Sequence, residues 1–316
     1  MSIETFPSFY NNLYLVETKN SDKWILIDSG NVIRSSYDSL LNEINSIKDK
    51  FNIDIDLNSN IEKVIITHGH TDHFGGVNFL GNRIYIHELD SRVVENFYEV
   101  LTYATKYVAT FFDSVGISES TKNKLLESYR ESKIFFKQMK VDGKLKDGDT
   151  VEGMHIIHTP GHSPGHICIL VEDILLSGDH ILPHITPHQF PESIMRFTGV
   201  GHYIESLKKI QRIADGVKLA LGGHGSEINN VKGRINEIIG HHNERLLKII
   251  DICSKPKTIS EISLELFGKK IGYEIILALE EAGAHVEYLW ERGLLKIQNI
   301  EEIDRGIEKV VRWQKI

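Results

Sequence analysis

One ten-residue stretch, Thr67–Gly76 (THGHTDHFGG), limits what this chain can become more than any other. It sets His68, His70, Asp72 and His73 close together, directly after the apolar run Lys63–Thr67 (KVIIT). A β-branched run of that kind reads as a buried strand, and Gly75-Gly76 lets the chain turn into a helix behind it. Three imidazoles and a carboxylate at a strand end can hold divalent cations. That donor mix suits zinc, iron or manganese, whereas calcium is held by oxygen alone.

Three further segments repeat the pattern. Thr159–His166 (TPGHSPGH) supplies His162, Ser177–His180 (SGDH) supplies Asp179, and Gly222–Gly225 (GGHG) supplies His224. Each follows a short apolar run: Met154–Ile157, Ile174–Leu176 and Lys218–Leu221. Loops at the edge of a rigid sheet are where sites are usually built. Seven candidate ligands are roughly what two metals sharing a hydroxide require.

In this order the motifs resemble those of the metallo-β-lactamase-fold hydrolases, over most of the chain up to Gly225. The resemblance implies an α/β fold, the αββα sandwich. It implies that His68, His70 and His162 hold one metal, that Asp72, His73 and His224 hold a second, and that Asp179 bridges them. Zinc is the first expectation for both, with iron or manganese as substitutes. Asp28, in Ile25–Gly30 (ILIDSG), matches a family position beneath the metal loop and would hydrogen-bond ligand loops into place. Asp179 stands where β-lactamases of the first subclass carry Cys, which argues against antibiotic hydrolysis. His70 stands where flavodiiron proteins carry Glu. TPGHSPGH most resembles the glyoxalase II and lactonase-like branch.

The rest of the chain reads as follows. Asn12–Val16 and Lys23–Asp28 form a hairpin, and Ser35–Phe51 has helical apolar spacing at Leu40, Leu41, Ile44 and Ile47. A strand Arg83–Ile86 precedes a helical insertion over 88–140, two helices broken near Gly116 with Ser118 opening the second. The insertion carries Phe97, Tyr98, Tyr103, Tyr107, Phe111 and Phe112. These pack against the sandwich or another chain, or wall the metals with an apolar slot, and opposite faces of one helix can do both. Strands resume at Thr150–Val151, Met154–His158, Ile167–Val171 and Ile174–Leu176, followed by helix His202–Ala214 and strand Lys218–Leu221. Residues 1–230 form the catalytic domain on this reading. In 231–316, helices Val231–Cys253, Ile259–Phe267 and Tyr273–Arg292 precede strands Leu294–Ile297 and Lys309–Trp313, a winged-helix order. Ser260 and Gly293 are the expected start and stop signals there.

Charge narrows the partners. The chain has 36 Lys+Arg and 44 Asp+Glu, a net charge of -8. Residues 231–316 are balanced at fourteen of each sign. Duplex binding calls for a clear basic face, so the appendix is expected to act as scaffold, dimer surface or pocket wall, not as a nucleic-acid binder. The start, MSIETFPSFYNN, lacks the basic and apolar segments of a signal peptide, and no apolar run approaches a membrane span. Cys168 and Cys253 form no metal-type pair and are expected as free thiols in a reducing cytoplasm.

Of the remaining histidines, His166 is expected to make a structural hydrogen bond beside a ligand loop. His180, His184 and His188 follow Asp179 and are candidates for touching substrate. His241 and His242 are expected to be ordinary polar residues, with one able to line a pocket, and His87, His155, His158, His202 and His285 are assigned no role. The function expected is a dinuclear metal hydrolase of a thioester, lactone or carboxylic ester with a small acyl substrate. Asp72 would also pass a proton to the leaving group. The alternatives are an endoribonuclease for single-stranded RNA at the same metals, and an iron-dependent persulfide dioxygenase. The complete set Asp72, His73 and His224 counts against the dioxygenase.

Overall fold

The structure, a computed structural model, describes residues 1–19, 22–131 and 136–316. Positions 132–135 of the expected insertion lie outside the described residues. The chain divides into two compact units. The first comprises Met1–Phe97, Phe135–Pro187 and Ser206–Ile235; the second comprises Tyr98–Ile134, His188–Glu205 and Asn236–Ile316.

The first unit opens on a hairpin the sequence reading missed, β1 (Ser2–Phe6) with β2 (Phe9–Asn12). Next come β3 (Tyr14–Glu17) and β4 (Trp24–Ile27), the expected antiparallel pair, then α1 (Arg34–Phe51) and β5 (Ile61–Ile66). The four-residue helix α2 (Thr71–Phe74) follows the metal loop, then β6 (Arg83–His87) and α3 (Ser91–Glu95). With β7 (Gly143–Leu145) these strands build a five-stranded sheet in the order β3-β4-β5-β6-β7, parallel from β4 onward. A second five-stranded sheet holds β8 (Thr150–Val151), β9 (Met154–His158), β10 (Ile167–Val171), β11 (Ile174–Gly178) and β12 (Leu219–Gly222) in reverse order.

The strand period of two explains how the sheets meet. Ile25, Ile27 and Ile65 from the first sheet pack in one cluster with Met154, Ile156, Ile167, Ile169 and Leu176 from the second. The alternate residues Leu26, Val64 and Ile66 are equally buried on the other face, as central strands are when helices cover them. Near-continuous apolar runs in these strands follow from burial on both faces.

In the second unit, α4 (Phe97–Ser114) and α5 (Glu119–Glu131) are the two helices expected around Gly116. Thr121 N donates to Ser118 Oγ at 3.1 Å, the cap expected there. Val108, Phe111 and Phe112 lie in one core with Leu246, Ile249, Ile262, Leu279 and Val286. That face of the insertion therefore packs into the core of its own unit. α6 (Val200–Gln211), α7 (Val231–Ile252), α8 (Ile259–Phe267) and α9 (Glu274–Glu291) follow the expected ranges to within a few residues. The start of α8 is set by Thr258, not Ser260: Thr258 and Glu261 form a capping box, which satisfies two otherwise unpaired backbone donors. β13 (Leu295–Ile297) pairs antiparallel with β14 (Trp313–Lys315), with the short helix α10 (Ile300–Asp304) between them. Among the described residues no helix is long and apolar enough to cross a membrane.

Candidate metal centre

Every ligand loop leaves the C-terminal end of a strand of the first unit. β5 leads into His68 and His70, α2 carries Asp72 and His73, the β9–β10 turn carries His162, Asp179 directly follows β11, and His224 lies two residues past β12. The structure brings all seven together. His68, His70 and His162 form one group, Asp72, His73 and His224 a second, and His68, His73 and Asp179 a third, with ligand atoms in each group within 4.8 Å of one another. Asp179 stands between the others: Oδ1 lies 3.5 Å from His73 Nε2, while Oδ2 lies 3.3 Å from His224 Nε2 and 3.7 Å from His162 Nε2.

The hydrogen bonds around the cluster aim lone pairs inward. Asp28, held at φ 61°, accepts Thr67 N–H at 2.7 Å and the Thr67 hydroxyl at 2.8 Å. The hydroxyl oxygen, its proton thus committed, faces His68 Nδ1 at 3.1 Å and must accept. Asp28 Oδ2 also takes His73 Nδ1 at 2.8 Å, and the Tyr10 carbonyl takes His224 Nδ1 at 2.7 Å. Each bond puts the proton on Nδ1 and leaves the Nε2 lone pair facing the cluster, the arrangement metal-binding histidines use. The role expected for Asp28 is the one the geometry gives it.

Electrostatics divide the histidines: His68 is kept neutral, whereas the carboxylates around His73 favour a positive charge there, the place a cation would take. Burial, together with the neighbouring imidazoles, pushes His68 well below its ordinary pKa. Burial opposes charge on His73 too, but Asp179, Asp28 and Asp72 outweigh it and hold His73 well above. Burial would raise Asp179, yet His73 and His224 draw it well below the usual carboxylate range. Asp179 Oδ1 is buried with no hydrogen-bond donor. Converging imidazole lone pairs and a buried carboxylate oxygen without a donor fit divalent cations of the zinc, iron or manganese kind.

Several neighbours were not legible as site residues. Asn11 Nδ2 donates to Asp72 Oδ2 at 3.0 Å and lies 3.1 Å from His73 Nε2, although it sits some sixty positions upstream of either. Phe9, on the same hairpin, brings its ring 4.7 Å from that of His224. Only the unusual density of aromatic and Asn residues in Phe6–Asn12 hints at either. His166 plays the expected structural part: Asp179 N–H donates to its Nε2 at 3.1 Å and its Nδ1 faces Thr159 Oγ1 at 2.8 Å. Of the three substrate-contact candidates, His180 is buried, His184 is exposed, and His188 belongs to the second unit, where it bonds the Leu277 carbonyl at 3.1 Å.

A family model described as the metallo-beta-lactamase superfamily matches residues 7–224. The chain belongs to that superfamily. Across the superfamily, it is 22% identical over 291 residues to a probable metallo-hydrolase, YqjP, of Bacillus subtilis, with 88% of this chain and 86% of that protein covered. It is 31% identical over 132 residues to an atrochrysone carboxyl ACP thioesterase of Aspergillus fumigatus, with 38% of this chain and 37% of that one covered. Its fold is that of a metallo-beta-lactamase family protein from Thermus thermophilus, at TM-score 0.76 and 24% identity over 100% of this chain and 97% of that chain.

Proposed function

We propose that this protein is a dinuclear metal hydrolase that cleaves an ester-like bond, a thioester, lactone or carboxylic ester, in a small acyl substrate. The observation that carries the reading is the pairing of two ligand trios with Asp179 between them. When bound, two divalent cations supply water activated near neutral pH and Lewis acidity towards a carbonyl oxygen. The chain's own residues do the rest. Asp28, Thr67 and Tyr10 fix the histidine tautomers, and Asn11 holds Asp72 by its Oδ2. Asp72, held by Asn11 and facing His224, is the carboxylate assigned to pass a proton to the departing group. A thiol nucleophile is excluded at Cys168, since burial pushes it up to about 12.

Substrate class rests on what borders the metals. The β1–β2 hairpin exposes Phe6, Phe9 and Tyr10, and of these the Phe9 ring lies 4.7 Å from that of His224. An apolar border suits an acyl chain better than a polyanion. The thioesterase named among the relatives acts on a substrate of that class, which supports the choice.

Two results are expected. Elemental analysis of the purified protein should find about two equivalents of metal per chain, with zinc first; one equivalent at full occupancy would end the dinuclear mechanism. In a screen over thioesters, lactones, carboxylic esters, phosphodiesters and RNA, acyl substrates should turn over, and kcat/KM should rise with chain length by up to about fourfold per buried methylene. Phe9→Ala should flatten that dependence without changing bound metal. Turnover of RNA alone would replace this reading with the endoribonuclease.

A further inference from the structure

Asp90 carries no assigned role and lies far in sequence from the two ligand loops it touches. It closes the turn between β6 and α3, its own N–H bonded to the His87 carbonyl at 3.0 Å, and its side chain is buried. The carboxylate accepts three hydrogen bonds. Oδ2 takes Gly69 N–H at 2.8 Å and the Ser163 hydroxyl at 2.7 Å, and Oδ1 takes Gly165 N–H at 2.7 Å. Gly69 is the residue between His68 and His70, and Ser163 follows His162 directly.

We infer that Asp90 is a positioning residue for one metal only, clamping the His68–His70 arm to the His162 arm so that this trio keeps the spacing one cation requires. The inference rests on the metal-site reading proposed above. It accounts for a feature of both motifs. A Cβ at Gly165 would lie 2.7 Å from Asp90 Cγ and 2.7 Å from Asp90 N, and one at Gly69 would lie 3.3 Å from Asp90 Oδ2. The glycines of HGH and SPGH are therefore the recess into which the carboxylate fits. No comparable contact joins Asp90 to Asp72, His73 or His224 among the hydrogen bonds of the described residues; those ligands are held by Asp28, Asn11 and Tyr10.

Asp90→Asn separates this role from general support. The amide has one accepting oxygen, so it turns an N–H2 towards at least one of the three donors, and the clamp loosens on one side. Zinc affinities of the two sites should be read by competition with a chromophoric chelator, and cobalt substitution should report the geometry of each site spectroscopically. Partners that orient metal ligands are worth about 10–100-fold in affinity when altered. The expected result is a loss of that size at one equivalent, with a changed cobalt spectrum, while the second equivalent stays within about threefold. Equal weakening of both sites, or of neither, overturns the clamp. Should Asp90→Asn not fold, Ser163→Ala removes one of the three bonds and must weaken the same single equivalent; if it weakens neither or both, the inference falls. Both measurements use metal without substrate. A chain that binds two metals selectively but cleaves no ester would overturn the proposed reaction and leave the clamp standing.

Discussion

Asp179→Ala is expected to hold about one metal equivalent in place of two and to lose more than about 100-fold in turnover, beyond what altering a ligand's outer partner costs. The reason is charge. The cluster sets two carboxylates, Asp72 and Asp179, among five imidazoles, and Asp179 is the one that faces histidines of both trios. Two dications close together repel each other, and in a buried site solvent screens that repulsion poorly. Removing the shared carboxylate leaves each trio complete but leaves less negative charge between the cations, so one should depart. The fold should survive. The backbone at Asp179 is pinned independently, by its N–H on His166 Nε2 at 3.1 Å and by Gly223 N–H on the Gly178 carbonyl at 2.7 Å. Asp179→Asn tests the cause, because it keeps the shape and removes the charge; it should behave as the Ala variant does. Two equivalents of metal and wild-type turnover in either variant would refute the bridging role.

What the sequence disclosed and what it hid divide along a physical line. The candidate ligands were legible as a group because each sits on a strand end marked by an apolar run before it and Gly or Pro beside it, and the strand periods placed β5, β9, β11 and β12 close to where they lie. Asp28 was legible only through the family resemblance, which matches it to a position beneath the metal loop. Asn11, Phe9 and Asp90 were not, because each meets the site through tertiary contact from a distant turn or hairpin; beyond the density of aromatic and Asn residues around Phe9 and Asn11, their local pattern carries no sign of it. The helices of the insertion were found by their period, but a period says which face is apolar, not what it packs against. Val108, Phe111 and Phe112 turned out to share a core with C-terminal helices, so a unit boundary read along the chain at 230 does not describe how the residues group. Ser260 was a reasonable cap by type. Thr258 won because Glu261 stands three residues beyond it and completes the reciprocal pair.

The tightness of the centre makes Gly223→Ala a single methyl aimed directly at metal binding. Gly223 precedes His224, and a Cβ there would lie 2.3 Å from Asp179 Oδ1 and 2.7 Å from His73 Cε1. The backbone has no room to retreat. Its N–H is fixed on the Gly178 carbonyl and its carbonyl accepts Asn12 N–H, both at 2.7 Å. The side chains must therefore give way, and both belong to the ligand cluster. Overpacking of this kind costs about 1–3 kcal/mol of stability. The larger effect should be on metal, since Asp179 Oδ1 must swing out of the position it takes between the trios. The variant should remain folded with a lowered Tm, hold at most one equivalent of metal, and show activity near that of Asp179→Ala. Gly81→Ala is the control: a Cβ at Gly81 meets nothing within 4 Å, so metal content and activity should match wild type. If Gly223→Ala keeps two equivalents and full turnover, the close approach of the β12 loop to Asp179 is not what holds that carboxylate in place.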